Sequence, residues 1–117
     1  MPTLRELTEA IQNRPGVQSV VILGADGLLI ETHDSAQGHA EAIAARVPAV
    51  ATAVAQLGGA AGTGEPSMGI LEFDRGYGAF MRLSDQVLLY VSASPDVDLS
   101  GLLYDLRLHR SAMASLV

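Results

Sequence analysis

A chain of 117 residues has room for one domain, and with 49% hydrophobic but only 4% aromatic residues its core must be aliphatic and alanine-rich. There is no Cys, and all seven basic residues are Arg, which excludes disulfides, thiolate nucleophiles, Schiff-base chemistry and the lysine of a phosphate loop. Thirteen acidic residues bring the net charge to -6, which leaves no electrostatic footprint for nucleic acid or an anionic lipid surface.

Along the chain, Thr3-Leu4-Arg5-Glu6 reads as a capping box, and Leu4, Leu7 and Ile11 recur at helical spacing until Pro15-Gly16 ends the helix. Val17 to Ala25 is β-rich. Val17, Val21 and Leu23 share one parity and Val20 and Ile22 the other, so both faces are apolar and the strand is central. Asp26-Gly27 is a hairpin signal, because Gly supplies the positive φ of a tight turn. Leu28-Leu29-Ile30 then returns as a second strand, and Glu31-Thr32-His33-Asp34 begins a loop.

From about Gly38 to Ala61, Ile43, Val47, Val50, Val54 and Leu57 form a regular helical seam. The opposite surface carries Ala42, Ala45, Ala49 and Ala53 rather than charges, and after Arg46 none appears until Glu65. A helix apolar nearly all round is covered on more than one side. The sheet of one small domain covers one side, and a second subunit is the expected cover of the other. A plain buried helix of a monomer is the alternative. Pro48 predicts a kink or a break, since proline inside a helix removes a hydrogen bond.

Gly58-Gly59 and Gly62-Thr63-Gly64 close the helix. A meander of three strands follows: Met68 to Phe73, Tyr77 to Leu83 and Gln86 to Ala93, joined by short turns that require antiparallel neighbours. Pro95 clears the sheet. A last helix from about Val97 carries Leu99, Leu102, Leu103, Leu106 and Met113 on one face, with Asp96 and Asp98 at its positive end. The order α-β-β-α-β-β-β-α predicts an α+β fold: a five-stranded antiparallel sheet with helices on both faces, one domain over residues 1–117. The N-terminus has no apolar signal core, and the uncharged run from Val47 to Gly64 is mostly Ala, Gly and Thr with Pro48 inside, unsuited to a membrane span. The expectation is a cytoplasmic protein without membrane insertion.

The catalytic inventory is thin. His33, Asp34, His39 and Glu41 are the one group of candidate metal ligands, and they straddle a loop and a helix start, so a solvated polar loop is the simpler reading. No Ser lies in a nucleophile elbow. Glu72 and Asp74 share a strand parity, but Asp74 has a simpler role in the turn before Arg75-Gly76. The glycines at 58–64 follow a helix instead of opening one, which argues against a phosphate loop. Arg75 and Arg46 are the candidates for an arginine finger, and solvated surface arginines are the simpler assignment for each. No metal and no cofactor is expected.

The pieces taken together resemble the Roadblock (dynein light-chain) family, whose bacterial branch includes MglB-like regulators of small Ras-like GTPases. The resemblance rests on Gly16-Val17 into Val20-Val21-Ile22-Leu23, on Asp26-Gly27-Leu28-Leu29-Ile30 and on the Ala-rich central helix with its Gly-rich exit. It rests also on Val87-Leu88-Leu89-Tyr90-Val91 followed by Asp98-Leu99-Ser100-Gly101-Leu102-Leu103. It implies a Roadblock/profilin-like sandwich that forms a homodimer, the central helices (Ile43, Val47, Val50, Val54, Leu57) packing together. The third strands (Met68, Ile70, Glu72) would pair across a two-fold axis. It further implies a scaffold that binds a small Ras-like GTPase and modulates its nucleotide cycle without supplying catalytic residues. Because Val117 directly follows the last helix, the C-terminal tail of longer members is expected to be missing, and binding without accelerated hydrolysis is one expectation. A purely structural adaptor and a small-ligand sensor are the other two readings.

Overall fold

The capping box forms in the computed structural model: the Glu6 amide donates to Thr3 Oγ1 at 3.1 Å and the Thr3 amide donates to Glu6 Oε1 at 3.1 Å. The structure describes residues 1–34 and 39–117, so Gly38, the expected start of the central helix, lies outside the described residues. The elements are α1 (Leu4–Gln12), β1 (Val17–Gly24), β2 (Leu29–Asp34), α2 (Ala40–Ala61), β3 (Met68–Phe73), β4 (Gly76–Ser84), β5 (Val87–Ala93) and α3 (Leu99–Ser115). All neighbouring strands are antiparallel in a five-stranded sheet of order β2-β1-β5-β4-β3. This is the expected α+β architecture, with helices on both faces.

Two clusters divide the core. On one face, Leu7 and Ile11 of α1 and Leu102, Leu106 and Met113 of α3 pack on Val20, Ile22, Met81 and Leu89. On the other, Ala44, Val47 and Ala51 of α2 pack on Val21, Leu23, Phe80 and Leu88. Burying these aliphatic side chains contributes about 1.5–3 kcal/mol each, the main favourable contribution in so small a chain. Asp98 caps α3, its carboxylate accepting from the Gly101 amide at 3.1 Å.

Four local expectations are corrected. Val17 joins Val20 and Ile22, not Val21, because a register shift between Val17 and Ser19 opposite β5 turns the strand over at Gln18. Leu28 stays in the turn, where its amide donates to Asp26 Oδ1 at 3.1 Å, and β2 begins at Leu29. His33 and Asp34 belong to β2 and not to a loop, since pairing with Val20 and Ser19 of β1 carries the strand onward. Helix α2 is not broken into two pieces at Pro48, one of the two outcomes expected there.

Pro48 has a local consequence. Proline has no N–H, so the carbonyl of Ala44 loses its helical donor. Gly27, held at φ 87° in the hairpin turn, lies beside that carbonyl, where a Cβ would come 3.4 Å from the Ala44 oxygen, but its own amide donates to Gly24. By length and composition alone, α2 is also long and apolar enough to cross a membrane, which the run from Val47 had argued against. Its Ala44, Val47 and Ala51 face is buried against the sheet of this same chain.

Candidate functional site

The two edges of the sheet differ. On β2, Glu31 and His33 stand opposite Ile22 and Val20 and so turn onto the α1 side, where Arg5 lies 3.5 Å from Glu31 and His33 Nε2 3.8 Å from the same carboxylate. Charged groups turned inward on an edge strand block the addition of another strand. On β3 the sequence Met-Gly-Ile-Leu-Glu-Phe has a single charge, Glu72, which accepts a hydrogen bond from Tyr77 Oη at 3.4 Å. Ile70 is 41% exposed and Phe73 56% exposed. The helices sit chiefly over the other strands, so β3 is an apolar edge with little cover.

Helix α2 extends this surface. Val47 is buried against the sheet and Ile43 and Val54 are half-buried, whereas Val50 and Leu57 are open, Leu57 being 67% exposed. Ala42, Ala45, Ala49 and Ala53 are exposed as well. The seam read from periodicity therefore splits, because the buried contacts are made by Ala44, Val47 and Ala51. Met68, Ile70 and Glu72 pair with Met81, Ala79 and Tyr77, which puts the first two on the α1/α3 face, away from α2. The β3 residues on the α2 face are Gly69, Leu71 and Phe73, opposite Phe80, Gly78 and Gly76. The α2 seam and the three β3 positions thus share an edge of the molecule but not a face of the sheet.

Between α2 and β3 lies a groove of about 450 Å³. Its floor is made by Phe80 and Tyr90, its walls by Leu71 and Phe73 on one side and Ile43 and Val50 on the other. Two glycines make the floor possible. A Cβ at Gly69 would fall 2.1 Å from Phe80 Cε1, and one at Gly78 would fall 2.1 Å from Tyr90 Oη. Burial raises the Tyr90 pKa above its ordinary 10.0. Arg46 and His39 stand at the rim, and a continuation of about 200 Å³ past Phe73 ends at Arg75. Among the described residues no Asp or Glu lines either space.

The residues that sequence reasoning missed are Leu71, Phe73, Phe80 and Tyr90. Alternation marks Phe80 and Tyr90 as one parity of their strands, but only strand register shows that both rings and the Leu71/Phe73 side meet on the α2 face.

A sequence model of the Roadblock/LC7 domain matches residues 3–93. The chain belongs to the Roadblock/LC7 family. Among curated proteins none matches the sequence. Among solved structures, a Roadblock/LC7 domain from Streptomyces avermitilis is similar at 21% identity and TM-score 0.86, with 97% of each chain covered. Myxococcus xanthus MglB is similar at 13% identity and TM-score 0.87, covering 97% of this chain and 93% of that one. The gliding protein MglB of Thermus thermophilus is similar at 14% identity and TM-score 0.86, covering 97% and 87%. At these identities the shared property is the fold.

In this Roadblock/LC7 chain the polar candidates from the sequence fall apart in space. Asp34 Oδ2 accepts from the His39 amide at 3.2 Å, a backbone link between β2 and the start of α2. Among the described residues no three His, Asp or Glu side chains converge as a metal would need. Ser19 and Ser92 hydrogen-bond to each other across β1 and β5. Arg75 sits exposed in the turn between β3 and β4.

Proposed function

We propose that this protein is a homodimeric, non-catalytic regulator that binds a small Ras-like GTPase in the cytoplasm and modulates its nucleotide cycle. The observation that carries the reading is the open apolar edge of β3 beside the exposed Val50 and Leu57 of α2, on a chain whose other edge is blocked by inward charges. Pairing β3 with its copy satisfies the free edge and buries Ile70, a symmetric solution to an aggregation hazard. Small alanines at 42, 45, 49 and 53 let two α2 helices approach closely. Membership of the Roadblock/LC7 family and the fold shared with the MglB proteins support the GTPase as partner. The reading assigns this chain binding and leaves hydrolysis chemistry to the GTPase.

The test has two parts. Light scattering on the purified chain is expected to give the mass of two copies, falling to one copy in Val50→Glu/Leu57→Glu with unchanged circular dichroism. A dimer that survives both changes removes α2 from the interface. Titration with a small Ras-like GTPase loaded with GTP or GDP is expected to show different affinities, since only differential affinity shifts a two-state equilibrium. Equal affinities with no change in hydrolysis rate leave a structural adaptor instead.

A further inference from the structure

We draw no further inference here: the strongest candidate, the cavity of about 540 Å³ between Pro48, Thr52 and Gln56 of α2 and the turn that joins β4 to β5, has its Arg82 already paired with Glu65 and its Asp85 open to solvent, and nothing in the structure shows what covers it.

Discussion

Phe80 of β4 lies across Gly69 of β3, its register partner, so closely that a Cβ at position 69 would fall 2.1 Å from the ring. The ring is only 4% exposed although the strand beside it is the open edge. Glycine at 69 thus lets one aromatic side chain cover its neighbour's backbone and close that side of the core. Gly69→Ala is expected to push the ring off its rotamer and cost about 1–3 kcal/mol, the usual penalty of overpacking. Denaturant unfolding measures it, and an unchanged midpoint would mean that the ring moves freely.

Tyr90 supplies the pH dependence. Burial raises its pKa above 10.0, so the folded state keeps the phenol proton where the unfolded chain has begun to lose it. The unfolded state then binds fewer protons, and stability falls as pH rises. The contribution is fully present below pH 10.0 and is lost as pH climbs through the raised folded value. Urea unfolding at a series of alkaline pH values should show the decline, and Tyr90→Phe should flatten it.

Arg14 ties the end of α1 to α3. Its guanidinium binds the Asp105 carboxylate and lies 3.5 Å from Asp98, the residue that caps α3. Gly101 gives it room, since a Cβ there would meet Arg14 Nη2. Arg14→Met is expected to cost about 1–2 kcal/mol, mostly through Asp105, because Asp98 is exposed and screened. Asp98→Ala should cost about 1 kcal/mol through the lost cap. Melting temperatures of both variants check the order.

Met113 lies beyond the span matched by the family, yet it is fully buried among α3, β4 and β5 residues. Met113→Ala is expected to cost about 2–5 kcal/mol, as for other large-to-small changes in a core. Calorimetry decides whether α3 belongs to the same cooperative unit: one transition moved to lower temperature is the expected trace, and an unmoved main transition would contradict it.

Much of this was legible in the residues because the signals are local. Thr3 and Glu6, or Asp98 and Gly101, meet within one helical turn, so spacing alone places the caps. The limits of β3 were legible too, since turns bound it on both sides. Val17 went to the wrong face because a single shifted residue at Gln18 inverts the parity of everything before it, and that shift is set by pairing with β5. In α2, periodicity grouped Val50 and Leu57 with Val47 in one stripe, but only Val47 is buried against the sheet, and alanines at 44 and 51 make the other contacts there.

By itself the sequence determined the order of elements, the antiparallel meander and an aliphatic core in two layers, because caps, turns and side-chain periods act over a few residues. The tertiary structure alone decided which edge is open, which side of β3 faces α2, and that Phe80 and Tyr90 floor a groove between them. Those properties depend on register between strands and on where a helix comes to rest across them, and both are settled by packing between residues far apart in the chain.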